Sequence, residues 1–412
     1  MTLQAERAST KLASKLVSSD SVAAGIGQVA SSLRNSVVNI SAAFVLISAQ
    51  FASFTAAFLF YSFTVGFVRT QLGEPLVLTS DDEHTSEATS TNAPTGSVNV
   101  VRTTLRIGVA GSVAAIGYSL LIGVLGVKTL LIGLAMPVLV LHEVLRFMAR
   151  AVLKSRSAVT SDVLWMVFAV SGAGLAMLVQ GLEFLVGGWV IGGLVACAFL
   201  WNKVGQGEGR HLSLSLNQRD LWSLGFEFVG RRGGVFVALL LLGAIFGEDA
   251  LANLRSIQTL ASPYNLLVLA VPIVLFPMVS ATGLAKPAWI MTAVALAGAA
   301  VTTAVFALVA YPFANGSSAL GQLSSVGGVV VLLLMRMFII GIVSVRLGEL
   351  KRSGLFVEAA RSHLISGPAT VILALLGYQF QGLTGAFAGL LLAAIVWAVS
   401  LEAQVWRKRS VT

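Results

Sequence analysis

Uncharged, apolar runs of about twenty residues follow one another through almost the whole chain, and a helix of that length is what crosses a hydrocarbon core. Hydropathy delimits twelve: Gly25–Ile47, Ala52–Phe67, Leu105–Gly126, Leu130–Leu145, Val163–Leu182, Phe184–Trp201, Gly225–Phe246, Ala250–Val279, Ala288–Tyr311, Gly327–Val345, Phe356–Tyr378 and Leu383–Ala403. With 56 % apolar and 11 % charged residues among 412, the sequence reads as an all-α integral membrane protein. Its formal charge of +9 does not point to nucleic acid, because the basic residues punctuate the apolar runs instead of forming one patch. Met1–Asp20 is polar and basic and is followed by a full-length span, so the sequence predicts that the first span is retained and not cleaved as a signal. The single cysteine, Cys197, lies in an apolar run; it excludes an intrachain disulfide and reads as a packing residue, and no metal set is expected.

Positive charge fixes the expected orientation. With the N-terminus inside, 21 of the 27 lysines and arginines fall on the cytoplasmic side, and both termini are cytoplasmic. The connections on the other side are short, as at Gly247–Asp249 and Gln379–Gly382, which leaves no external domain. This argues against a membrane glycan polymerase or glycosyltransferase, which would carry its catalytic residues on a sizeable outer loop. On the inner side, Asp81–Ser97 is too polar to bury a core and reads as a mobile loop.

An arginine interrupts the first span near its middle. Arg34 at that depth costs roughly 2.5–3.5 kcal/mol on insertion scales, so it must face a polar cavity or be tied to neighbouring helices by hydrogen bonds. The device recurs 198 positions later, where Arg232 follows Arg231. The same register pairs Gly27 with Gly225, Val37 with Val235, Ile47 with Ile245 and Ala52 with Ala250. This predicts two pseudo-symmetric six-helix lobes around a central cavity. The expected divisions are an N-terminal segment 1–24, a first lobe 25–202 with a loop near 71–100, a linker 203–221, a second lobe 222–404 and a basic tail 405–412.

Further candidates sit in or near spans. Arg336 lies inside the tenth, and Arg255 lies close to the outer end of the eighth, within reach of Glu248 and Asp249. Glu227 precedes Arg231 by four residues, a spacing that permits either a structural ion pair or a carboxylate that takes up a proton when Arg231 is claimed by a ligand. Asn35 and Asn39 share a helix face and suit sugar hydroxyls or interhelical bonding equally. His142, Glu143 and Arg146 read as a polar cap closing the fourth span. Pro137 and Pro368 interrupt spans, and Pro263, Pro272 and Pro277 concentrate in the eighth; these kinks fit a bending transporter or static packing.

The stretch Ser32–Leu78, with the turn Ser48–Phe54, resembles the first two helices of bacterial polysaccharide-type flippases of the multidrug, oligosaccharidyl-lipid and polysaccharide exporter superfamily. Gln50 and Ala52 stand where that family has an acidic residue and a glycine. Leu141–Arg146, Ser161–Trp165 and Leu254–Pro263 extend the resemblance. It implies a twelve-helix alternating-access transporter, without cofactor or covalent chemistry, in the bacterial plasma membrane. The implied substrate is a polyprenyl-diphosphate-linked oligosaccharide for surface polysaccharide, and polymerase machinery is the implied partner beside the bilayer. In that setting Arg34, Arg231, Arg232, Arg255 and Arg336 would line a cationic cavity, since guanidinium forks match phosphate oxygens. The alternatives are a flippase of the lipid-linked peptidoglycan precursor and a cation-coupled drug antiporter.

The orientation is directly testable. A cysteine placed at Thr91 in a Cys197→Ala background is expected to be inert to an impermeant thiol reagent in intact cells and reactive after permeabilisation. Labelling in intact cells would invert the topology.

Overall fold

The structure, a computed structural model, describes residues 19–73, 75–76, 98–153, 155–179, 181–206, 213–214, 218–260, 300, 304, 326–352 and 356–409. These residues form ten α-helices: α1 Ser19–Val45, α2 Ser48–Val68, α3 Val100–Leu121, α4 Val127–Leu153, α5 Ser155–Val179, α6 Leu182–Gln206, α7 Gln218–Phe246, α8 Glu248–Leu260, α9 Val326–Arg352 and α10 Phe356–Arg409. A π-helical turn, Arg69–Gly73, prolongs α2. Six helical stretches among the described residues are long and apolar enough to cross a bilayer. The chain is an all-α membrane protein, apart from a two-residue antiparallel ladder of β1 (Val98–Asn99) on β2 (Ser213–Leu214). The predicted ninth span apart from Ala300 and Ala304, the eighth beyond Leu260, and the loop 81–97 lie outside the described residues.

Turn chemistry sets where the helices stop. α3 ends at Leu121 and not at Gly126, because Gly123 takes φ 72°, a left-handed conformation that costs a glycine nothing. Gly247 (φ 90°) separates α7 from α8 in the same way. At its start α3 is capped by the Asn99 side chain, which accepts from the Arg102 backbone N–H at 2.9 Å. Gly382 (φ 56°) folds α10 back on itself into two antiparallel arms, the predicted eleventh and twelfth spans. The arms meet at glycines: Gly377 lies on Gly385 and Gly389 on the Leu373 carbonyl, so that any side chain at these positions would collide with the opposite backbone.

The fourth span reaches further than its hydropathy suggests. α4 continues to Leu153, which puts Glu143 and Arg146 inside the helix and not in its last turn. The polar-cap reading of His142, Glu143 and Arg146 is corrected accordingly: hydropathy ends the span at the first charges, whereas these charges are buried against partners on other helices. Pro137 sits within the same helix. The carbonyl it leaves without a helical donor, on Gly133, receives the Ser112 hydroxyl of α3 at 2.6 Å, and Gly108 of α3 packs directly on the proline ring.

α1 packs chiefly on α5, α5 on α6, α6 on α4 and α4 on α3. In the second half α7 packs on the first arm of α10, where Gly234 touches Gly367 and Gly230 touches His363. The first helix of each half therefore leans on the fifth, as a duplicated architecture requires. The halves meet along α2 and α7 through an aromatic seam. Phe63 stacks on Phe236 (centroids 4.3 Å apart), Phe60 meets Phe236 edge-on, and Phe63 and Phe67 flank Phe228. Tyr118 of α3 ties the far end of this seam by donating to the Leu240 carbonyl at 2.7 Å.

Widening the α10 hairpin is expected to be costly. Gly389→Val should destabilise the detergent-purified protein by about 1–3 kcal/mol, the range for overpacking, and lower its thermal midpoint. Gly174→Val, at an open helix position, should leave it in place. Equal midpoints for the two variants would contradict the close approach of the arms.

Candidate functional site

Arg34 is 1 % exposed and lies wholly inside the first half. Its guanidinium carbon sits 3.5 Å above the centroid of the Trp165 ring on α5. Asp162, one turn earlier on that helix, approaches Nη1 to 3.8 Å. Long hydrogen bonds of 3.4 Å run to the Ser31 hydroxyl and the Asn35 side-chain oxygen. An ionic chain continues from Asp162. Its Oδ2 accepts from Arg146 Nη1 at 3.2 Å; Arg146 Nη2 donates to Glu143 Oε1 at 2.5 Å, and Arg69 donates to the same oxygen at 2.8 Å. Helical spacing makes this possible: Glu143 and Arg146 lie three apart on α4, and Asp162 and Trp165 three apart on α5, so each pair shares a face.

The aromatic floor under Arg34 is itself held in place. Trp165 Nε1 donates to the Trp189 carbonyl of α6 at 2.6 Å, His142 meets Trp165 edge-on at 4.8 Å, and Tyr61 meets Trp189 edge-on at the same distance. His142 Nε2 and the Ser161 hydroxyl are 2.6 Å apart. Neither Asp162 nor Trp165 was a sequence candidate for a partner of Arg34. A signal existed: an arginine inside one span requires a counter-charge on another, and Asp162 is a carboxylate set just inside the fifth helix from the same end.

The second-half arginines stand elsewhere. Arg232 is exposed on α7, one turn from Phe228 and one from Phe236, hence on the face that meets α2. α7 bends by 49° at this point, between Gly230 and Arg232. Arg232 and Arg34, equivalent in sequence, are thus not brought together on one wall: one is enclosed, the other opens on the seam. Arg336 is half-buried on α9. The side chains of Glu227 and Arg231 lie outside the described residues.

Arg255 of α8 is half-buried and reaches across to the first half, where its Nη2 donates to Asn39 Oδ1 at 3.4 Å. Asn39 in turn donates to the Asn35 carbonyl at 2.7 Å. α8 packs on α1, α2 and α7 and is the most polar of the described helices in the second half. Four of its buried side-chain atoms, Asn253 Oδ1, Arg255 Nε, Gln258 Nε2 and Thr259 Oγ1, hold no hydrogen bond among the described residues. Unpaired polar atoms within a bilayer are costly, and they mark places where a ligand or water completes the structure. Among the described residues no group of three histidines, cysteines or carboxylates converges as a metal site would need.

In sequence the chain matches no protein-family profile and no curated protein. In fold it is similar to solved membrane transporters. The lipid II flippase MurJ in an inward closed conformation superposes with a TM-score of 0.62 at 13 % identity, over 93 % of this chain and 87 % of that one. A transporter of the MOP superfamily from Pyrococcus furiosus, described as having a binding pocket of reversed polarity, gives 0.62 at 14 % identity over 94 % of both chains. An inward-facing multidrug resistance transporter of the MATE family gives 0.61 at 12 % identity over 92 % of this chain and 95 % of that one. The chain has the fold of these transporters over more than nine-tenths of its length.

Removing one member of the buried chain leaves its partners charged in an apolar interior. Asp162→Ala is expected to destabilise the protein by about 3–5 kcal/mol, the cost of breaking a buried pair. Lys128→Ala, which removes the 3.9 Å pair with the exposed Glu183, should cost less than about 1 kcal/mol. Thermal unfolding in detergent measures both, and similar losses would deny the chain a structural role.

Proposed function

We propose that the protein is a flippase that moves a polyprenyl-diphosphate-linked oligosaccharide across the bacterial plasma membrane, for surface polysaccharide, by alternating access between its two halves. The observation that carries this reading is the sign of the charge at their meeting. Arg255 bridges the halves with its Nε unpaired, and Arg232 opens on the seam. A diphosphate is an anion that guanidinium forks hold well, whereas a cationic drug wants carboxylates. The transporter fold agrees with this and makes an enzyme the poorer reading.

In this reading Arg232 and Arg255, with Arg231 and Arg336 behind them, supply the phosphate site. Asn35, Asn39 and the unpaired amide and hydroxyl of Gln258 and Thr259 offer hydrogen bonds to sugar. Arg34, enclosed by Asp162 and Trp165, keeps the first wall positive, and Glu227 is the group that takes up a proton when phosphate claims Arg231. A second reading, a flippase of the lipid-linked peptidoglycan precursor, is favoured by the likeness to the lipid II flippase MurJ. Both substrates present the same diphosphate, so the phosphate site serves either; the genes for glycosyltransferases and a polymerase beside this one, or for cell-wall synthesis, separate them.

The test is the order of substitutions at Arg232 and Arg255. Loss of a charge-assisted bond to phosphate is worth about 1.5–3 kcal/mol, so alanine at either site should reduce lipid-linked oligosaccharide reaching the outer leaflet by about tenfold or more at equal protein level. Lysine keeps the potential and loses the fork, so it should retain partial transport where glutamine retains little. Glutamine equal to lysine at both sites would overturn the phosphate assignment.

A further inference from the structure

We propose that the outward face of α3 is a docking surface for one anionic phospholipid, whose phosphate is clasped by Arg102 and Arg106 and whose acyl chains lie along Val109 and Val113. The surface is independent of what is transported. Tyr118, which ties α3 to α7, leaves the helix on the opposite side.

The way α3 is buried is the first argument. Its buried residues are Val100, Thr104, Gly108, Ser112, Ala115 and Ser119, mostly small or polar, and the helix packs on α4 and α2. The large residues point the other way: Val109 is 52 % exposed, Val113 66 % and Leu120 59 %. At about 100° per residue, Arg102, Arg106, Val109, Val113 and Leu120 fall within an arc of about 60°. A helix that buries small residues and exposes large aliphatic ones faces hydrocarbon, so the two arginines head a lipid-facing stripe. They stand at the end of α3 that the distribution of positive charge assigns to the cytoplasm, at headgroup level. From Arg106 to Val113 the helix rises about 10 Å, which lies within one leaflet of about 15 Å.

Charge is the second. Neither α2 nor α3 contains a carboxylate, and the one on α4, Glu143, is enclosed with Arg69 and Arg146. Arg102 and Arg106 are exposed and take part in no ion pair among the described residues. Like charges one turn apart on a helix repel, whereas an anion held between them is drawn by both, and each guanidinium can fork onto phosphate oxygens. Exposure gives a headgroup both room and access. A choline headgroup brings its own cation, which the pair repels, so the surface selects an anionic lipid. Dissolved phosphate would meet the arginines and leave the aliphatic stripe unused.

The experiment is native mass spectrometry of the full-length protein in detergent, titrated with phosphatidylglycerol or phosphatidylcholine, counting protein that carries a single lipid. Detergent removes the surface potential of a whole membrane, so a preference for phosphatidylglycerol reports a discrete site. The unaltered protein is expected to prefer phosphatidylglycerol. Arg102→Gln and Arg106→Gln should each lower that preference about fivefold, the worth of one basic residue at an anionic lipid surface, and the double change should abolish it. Arg156→Gln, at an exposed arginine on α5, should leave it intact. Equal uptake of the two lipids by the unaltered protein, a preference that survives the double change, an equal loss in Arg156→Gln, or displacement of the lipid by dissolved glycerol phosphate would overturn the proposal.

Discussion

A guanidinium inside a bilayer has no water to turn to, and the arrangement of the first half follows from how Arg34 is satisfied. Trp165 gives it a π-face and Asp162 a counter-charge, and both come from one turn of α5. Because Asp162 also serves Arg146, and Arg146 serves Glu143, the satisfaction of Arg34 on α1 is linked to α4 and, through Arg69, to the end of α2. A desolvated cation–π contact is worth about 2 kcal/mol, but the larger effect is specificity. Buried partners with fixed directions tolerate one helix register and penalise every other.

Positions matched by the 198-residue register do not share their chemistry. Gly27 and Gly225, or Arg34 and Arg232, occupy matching places on the first helix of each half, and each of those helices leans on the fifth of its own half. The neighbours differ. Trp165 faces the first helix where, in the second half, the small Gly230 lies against His363. A bend of 49° and a run of glycines at Gly230, Gly233 and Gly234 then turn α7 where α1 is continuous. One arginine is consequently a keystone of packing, and the other is exposed on α7.

Much of this was legible beforehand. Apolar run lengths located the described helices, because the bilayer leaves no other backbone solution, although some ends lie as many as eight residues away, as at Leu153 and Ser155. Gly247 and Gly382, both in the short connections expected from the sequence, take positive φ in the turns, whereas Gly123 falls within the expected third span and ends α3 early. The misplacements have physical causes. Hydropathy counts Glu143 and Arg146 as the end of a span, since it is blind to neutralisation by a partner distant in sequence. Arg34 is legible as needing a polar cavity or ties to neighbouring helices, but the register that matches it with Arg232 says nothing of the carboxylate on an adjacent helix, Asp162, that faces it. The β1–β2 ladder brings together segments more than a hundred residues apart, which no local pattern announces.

The distribution of charge divides the labour within the molecule. The buried carboxylates Glu143 and Asp162 are committed to arginines within the first half, so they serve to hold helices together. At the meeting of the halves α8 contributes an arginine, two amides and a hydroxyl with buried atoms unpaired, groups that pair as readily with a ligand as with protein. Unpaired buried atoms occur in both halves among the described residues; those of α8 differ in lying on a helix that packs on α1 and α2 of the other half. If α8 were equally satisfied by fixed partners, separating the halves would leave several polar groups bare in hydrocarbon at once. Two hydrogen bonds given above cross between the halves, the long Arg255–Asn39 bond and the 2.7 Å Tyr118–Leu240 bond, beside the aromatic contacts of Phe60, Phe63 and Phe67, so apolar surface makes up much of their meeting.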